Sequence, residues 1–85
     1  MRPRSIAYVL VAYRNEPTEI RELTQSLLQP TIEAGFNATV YLVANDSFLY
    51  EESDAVKVIS GQGNVGFARG VEIGVRAASE DYVIC

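Results

Sequence analysis

The segment Gly61-Gln62-Gly63-Asn64-Val65-Gly66-Phe67-Ala68-Arg69-Gly70 joins two stretches with different hydrophobic periods. Before it, Ala55 to Ser60 (AVKVIS) is a short, β-branched run that reads as a strand. After it, Phe67, Val71, Val75 and Ala78 recur at roughly helical spacing, which predicts a helix. A glycine-rich turn between a strand and a helix suits a β-α unit, because glycine permits positive φ or a close backbone approach. This junction makes the chain α/β.

Working outward, the same alternation recurs. Ser5 to Ala12 is a near-continuous apolar run, of the length and content of a strand buried on both faces. Asn15 is a good N-cap, and Pro17 suits the first turn of the helix that follows. Ile20, Leu23, Leu27, Leu28 and Ile32 then predict one buried stripe, with Arg21, Glu22 and Gln25 outside. Pro30 is expected to kink or end this helix, and Gly35 to cap it. Ala38 to Ala44 (ATVYLVA) reads as a second buried strand, and Asn45-Asp46-Ser47 has turn chemistry. Phe48 to Asp54 reads as an irregular acidic loop, and Tyr82 to Cys85 (YVIC) as the start of a fourth strand. The order β-α-β-β-α-β implies a Rossmann-like, mostly parallel sheet with right-handed crossovers, in one domain spanning 1–85.

The 85 residues suffice for one small domain, and 48% hydrophobic with 21% charged residues is the composition of a packed chain. With a net charge of -4 and one Lys and six Arg scattered through the sequence, there is no basic patch of the kind that nucleic-acid binders carry. Arg2 and Arg4 read as a solvated tail. The chain has no histidine, so it lacks the commonest general base and zinc ligand. Cys85 is the sole cysteine and ends an apolar run, which predicts a buried thiol. The apolar run Ile6 to Tyr13 is far shorter than the ~18 residues of a membrane span, and no small-residue cleavage site follows it. The expected location is the cytoplasm, where the sequons at Asn37 and Asn45 are chance matches.

The glycine segment supports two functional readings. Gly61, Gly63 and Gly66 spell G-x-G-x-x-G, the dinucleotide-binding fingerprint. That fingerprint belongs after the first strand, with an acidic residue closing the second strand about 20 positions on. Here the glycines follow the third strand, and Glu80 and Asp81 precede the fourth.

The second reading takes in more of the chain. Asn64-Val65-Gly66-Phe67-Ala68-Arg69-Gly70, then Gly74, Ala77-Ala78 and Asp81-Tyr82-Val83-Ile84, resembles the family-two glycosyltransferases, most closely their rhamnosyltransferase-like members. In that family a strand, an N-x-G-F/Y-A/G loop, a helix rich in small residues and a "gDyvl" strand follow in this order. Val9-Leu10-Val11-Ala12-Tyr13-Arg14-Asn15 is similar to the family's V-V-x-x-Y-N opening. Leu42-Val43-Ala44-Asn45-Asp46-Ser47 is similar to its V-D-N-x-S segment. The resemblance thus covers nearly the whole chain.

The resemblance implies the first half of a GT-A domain, with a nucleotide-diphosphate sugar bound at the carboxyl ends of the first strands. Tyr13 would lie beside the base, with Val11 and Ala12 lending backbone contacts; the alternative is that Tyr13 caps the core. Ala44 stands where the family usually has the Asp that recognises the base. Losing a charged acceptor costs roughly 1.5–3 kcal/mol, about ten- to a hundredfold in affinity. Either Asp46 takes over from two residues on, or it is an Asx-turn residue and the base is held differently. Asn64 and Gly66 open the last helix, where free N–H groups attract phosphate or simply make a tight turn. Arg69 sits in the first helical turn, unfavourably placed against the helix dipole unless an anion such as a diphosphate lies nearby. Glu72 stands where the family often has Asn.

In the family, a D-x-D-like motif beyond the fourth strand holds Mg²⁺ or Mn²⁺, and the acceptor site and base lie farther on. The resemblance therefore assigns no catalytic residue and no metal ligand to these 85 residues, and no transfer activity to this segment alone. In a longer chain it implies an enzyme at the inner face of the membrane, building surface polysaccharide. The alternative is a non-catalytic binding or interaction module that self-associates through an unfinished sheet edge.

Overall fold

The β-branched runs on either side of the first helix pair directly. Strands β1 (Ser5–Ala12) and β2 (Asn37–Ala44) run parallel, in register from Ser5 opposite Asn37 to Ala12 opposite Ala44. A computed structural model of the chain describes residues 3–46 and 50–85, and in it these strands form the centre of one sheet. Helix α1 (Pro17–Glu33) joins them. β3 (Val56–Ile59) adds to β2, and α2 (Phe67–Ala77) carries the chain back to β4 (Tyr82–Ile84) on the far side of β1. All pairings are parallel and the strand order is β3-β2-β1-β4. This is a Rossmann-like α/β sheet in which the direction of strand addition reverses at β1.

Alternation along the strands splits the core in two. Leu10, Ala12, Leu42, Ala44 and Val58 face Ile20 of α1. Ala7, Val9, Val11, Tyr41, Val43 and Ile59 face Ile73 and Ala78. The sheet is thus covered on opposite faces by the two helices, which explains why β1 and β2 are apolar at nearly every position.

Helix α1 departs from its sequence reading in three ways. Its N-cap is Glu16, not Asn15, and the Glu16 amide donates to Glu19 Oε1 at 3.1 Å. Asn15 instead accepts the Tyr13 amide at 3.0 Å, bending the chain off β1. The buried stripe is Ile20, Thr24 and Thr31, flanked by half-buried Leu27 and Leu28, while Leu23 and Ile32 are exposed. Both stripes have the same period and differ by a small rotation of the helix. Tyr8 fixes that rotation: its hydroxyl meets Thr31 Oγ1 at 2.6 Å, and Thr31 donates to the Leu27 carbonyl at 2.9 Å. Pro30 does not end the helix, which runs on to Glu33. A proline so near the last turn removes one hydrogen bond without interrupting many. Gly35 does cap, with φ +93°; its amide donates to Ile32 and that of Phe36 to Thr31, the paired bonds of a Schellman motif.

In α2 the buried residues are Gly70 and Gly74, whereas Val75 and Phe67 are exposed. A Cβ on Gly74 would lie 2.4 Å from Val9 Cγ1, and one on Gly70 would lie 3.0 Å from both Val11 methyls. The glycines let the helix backbone rest on the valines of β1. Phe67 lies on the same stripe, three residues before Gly70, but stays 74% exposed.

At the amino end of the sheet, Asp81 and Ser5 bond reciprocally. The Ser5 amide donates to Asp81 Oδ2 at 2.9 Å, and the Asp81 amide donates to Ser5 Oγ at 3.0 Å. Beside them, Arg4 donates to the Tyr82 hydroxyl at 3.1 Å. Cys85 is exposed rather than buried, just beyond β4 at the edge of the sheet. The expected loop after β2 is described from Tyr50 onward, and Tyr50 is buried against the α1 side of the core rather than solvated. Ser47, Phe48 and Leu49, and the tail residue Arg2, lie outside the described residues. No helix among the described residues is long and apolar enough to cross a membrane.

Candidate functional site

An open α/β sheet presents its ligand crevice outside the carboxyl ends of the strands, where the strand order reverses. Here that point is the end of β1. Three segments meet on this edge: 13–16 after β1, 45–46 after β2 and 60–66 after β3.

Asn45 organises the edge. It is 2% exposed, and its amide extends the β1–β2 ladder by donating to the Ala12 carbonyl at 2.8 Å. Its side-chain Nδ2 donates to the Gly66 carbonyl at 3.1 Å. Gln62 Nε2 donates to the Ala44 carbonyl at 2.8 Å and to Asn45 Oδ1 at 3.2 Å. The end of β2 is thereby stitched to both ends of the glycine turn. That turn needs its glycines: Gly61, Gly63 and Gly66 have φ of +94°, +72° and +84°. Gln62 Oε1 is buried without a hydrogen-bond partner.

A second set of contacts fixes the β1 loop. Arg14 has φ +58°, a left-handed conformation that costs a non-glycine residue on the order of 1 kcal/mol. Asp46 Oδ2 accepts the Arg14 amide and, at 3.3 Å, the Tyr50 hydroxyl, which also meets the Asn15 carbonyl at 3.3 Å. Asp46 and Tyr50 thus hold Arg14 in place. Its guanidinium lies 5.2 Å from the ring centre of Tyr13.

The seven residues singled out from sequence fall on or beside this edge. Tyr13 is 45% exposed at the end of β1, so it does not cap the core. Asp46 is joined to the Tyr13 loop through the Arg14 amide. Asn64 Oδ1 accepts the Gly66 amide at 3.2 Å, so that N–H is already engaged. Arg69 is exposed one turn into α2. Val11 and Ala12 are strand residues with side chains on opposite faces; Val11 underlies Gly70, and the Ala12 carbonyl is taken by Asn45. Glu72 pairs with Arg76 at 3.0 Å on the outer face of α2. Sequence reasoning missed Asn45, Gln62, Tyr50 and Arg14 as organisers of the edge. The available signal was two amide side chains, each at the end of an apolar strand where a turn alone would not require them.

A groove of about 390 Å³ lies elsewhere, between α1 and residues 50–56. Arg21 and Glu51 approach to 3.5 Å across its exposed rim.

Two buried phenols give the fold a pH dependence. Burial, then the adjacent Asp46 carboxylate, pushes Tyr50 above the usual tyrosine range. Burial, then the Glu80 carboxylate, which accepts its hydroxyl at 2.8 Å, does the same to Tyr41. Burial alone would raise Glu80, but hydrogen bonds from Tyr41, the Ser79 and Glu80 amides and Thr39 together lower it. A lowered carboxylate contributes stability above its unfolded pKa of about 4.3, lost as pH falls through the folded value. A raised phenol contributes stability below its unfolded pKa of about 10, lost as pH rises toward the folded value. The melting temperature should therefore be flat between about pH 5 and pH 9 and fall on both sides. Melts across pH should show a reduced acid limb in Glu80→Gln and a reduced alkaline limb in Tyr50→Phe. Unchanged limbs would contradict these assignments.

No protein-family model, curated protein or solved structure matches the chain. Among the described residues, no group of three His, Cys, Asp or Glu is placed to hold a metal ion.

Proposed function

We propose that this chain is the donor-nucleotide half of a GT-A glycosyltransferase, binding a nucleotide-diphosphate sugar at the carboxyl edge of β1. The supporting observation is the reversal of strand order at β1, with Tyr13, Asp46, Asn64 and Gly66 gathered on that one edge. These are among the residues that carry the sequence resemblance. In this reading the Tyr13 ring takes the base, and the exposed start of α2 with Arg69 takes the diphosphate. The acceptor in this reading is a surface polysaccharide or a related glycan, and the complete enzyme uses Mg²⁺ or Mn²⁺. The segment alone performs no transfer, and the complete enzyme works in the cytoplasm at the inner membrane face.

Calorimetric titration tests the proposal. Weak binding of a nucleoside diphosphate, strengthened by Mg²⁺ or Mn²⁺ and absent for NAD, is the expected outcome. Binding of NAD in preference to any nucleoside diphosphate would overturn it in favour of a dinucleotide site.

A second reading rests on a separate observation. Tyr82, Val83 and Ile84 of β4 are all exposed along a strand paired on one edge only. Such an edge is a template for strand addition, so the fold can also serve as a non-catalytic module that pairs with another chain. Concentration-dependent sedimentation with no nucleotide binding would favour this reading over the first.

A further inference from the structure

Phe67 has no role in the core. It is 74% exposed although it shares the inward stripe of α2 with Gly70 and Gly74. Its position follows from how α2 lies on β1. Gly74 sits over Val9 and Gly70 over Val11. Four helical residues advance about 6 Å, and two strand residues advance about 6.6 Å, so helix and strand keep step. One further step toward the carboxyl edge brings the start of α2 level with Tyr13. The start of α2 and the end of β1 therefore reach the same edge of the sheet, where Phe67 and Tyr13 are both exposed. Arg14 covers part of Tyr13 but leaves the residue 45% exposed. A large apolar ring exposed on a crevice edge that also carries a second ring suits a flat, polarisable ligand group.

We infer that Phe67 is a base-stacking residue, which with Tyr13 brackets the nucleobase of the bound nucleotide. The inference rests on the proposed function and adds a residue to it. Stacking is tolerant of base identity, because every base has a π-face. Phe67 therefore sets affinity, not the choice among bases. This offers a physical way to hold a base at a site where Ala44 supplies no side-chain acceptor and Asp46 is engaged with Arg14 and Tyr50.

The test compares the intact chain with Phe67→Ala and Phe67→Tyr. Each is titrated with UDP, dTDP and GDP and, separately, with inorganic pyrophosphate. Thermal melts check that the variants fold, as the exposure of Phe67 leads one to expect. Removing the ring should weaken the best-bound nucleoside diphosphate about five- to a hundredfold. Pyrophosphate binding should be unchanged, and tyrosine should restore the nucleotide affinity. Equal nucleotide affinity in wild type and Phe67→Ala would overturn the inference and leave the proposed function standing. Parallel loss of nucleotide and pyrophosphate binding would also overturn it, because Phe67 would then be acting through the helix start. If the wild-type chain binds none of the three diphosphates, the proposed function and the inference both fail.

Discussion

Gly74→Val should abolish the cooperative melt of this protein, and Gly74→Ala should lower its midpoint by up to about 16 °C. The alanine methyl would lie 2.4 Å from Val9 Cγ1, with Val43 Cγ2 at 3.2 Å and Val9 Cγ2 at 3.3 Å. Val9 and Val43 are buried, β-branched and stiff about χ1, so neither can swing aside. The helix must lift off the sheet or the strand must bend. Overpacking of this kind costs about 1–3 kcal/mol for one methyl group, and more for the three carbons of valine. Alanine's helix propensity returns up to about 1 kcal/mol, which leaves a net loss of up to about 2 kcal/mol. A chain of this size has only about 4–13 kcal/mol of stability to lose. The double variant Val9→Ala/Gly74→Ala should recover part of the loss, since removing the valine methyls opens the space that the new one needs. Thermal denaturation of the three variants decides it. A Gly74→Ala protein that melts at or above wild type would show that α2 sits farther from the sheet than described.

Asn45→Ala should cost about 2–5 kcal/mol, read as a shift of the urea midpoint. The side chain is buried and serves two partners, the Gly66 carbonyl and Gln62 Nε2. Alanine removes both bonds, leaving the Gly66 carbonyl only the Gly70 amide, and Gln62 keeps only its bond to Ala44. Asn45→Asp should be worse than alanine. It replaces the Nδ2 donor with an acceptor facing the Gly66 carbonyl and puts a charge into a buried position. If the carboxyl edge binds nucleotide, both variants should also weaken that binding, because Asn45 holds the start of α2 against the end of β2. A urea midpoint within error of wild type for both would mean that Asn45 does not organise the edge.

The strands and helices could be read from sequence because their periods are strong and their boundaries carry glycine, proline or asparagine. The two-sided burial of β1 and β2 was equally legible, since no polar alternation interrupts either run. Failures came where two solutions share one period or where side-chain size misleads. Leu23 and Ile32 yielded the inner face of α1 to Thr24 and Thr31, because a hydroxyl pair with Tyr8 fixed the rotation of the helix. Gly70 and Gly74 carry no weight in a hydrophobic pattern, yet they are the buried residues of α2 precisely because they have no side chain. Tyr50 looked like part of a solvated acidic stretch; its partners Asn15 and Asp46 are 35 and four residues away, and only the fold brings the first of them close. The location of the candidate site followed from topology alone. Its internal wiring through Asn45, Gln62 and Arg14 did not, because a hydrogen bond between loops leaves no period in the sequence.

The clasp between Ser5 and Asp81 spans 76 residues, and it seats β4 against the central strand. On a ribosome, that distance becomes time. β1 is made first, yet one of its flanks has no partner until β4 has emerged, about 4–15 s of synthesis later. Throughout that interval the nascent chain exposes one open side of its most apolar strand, the side that a chaperone would be best placed to shield.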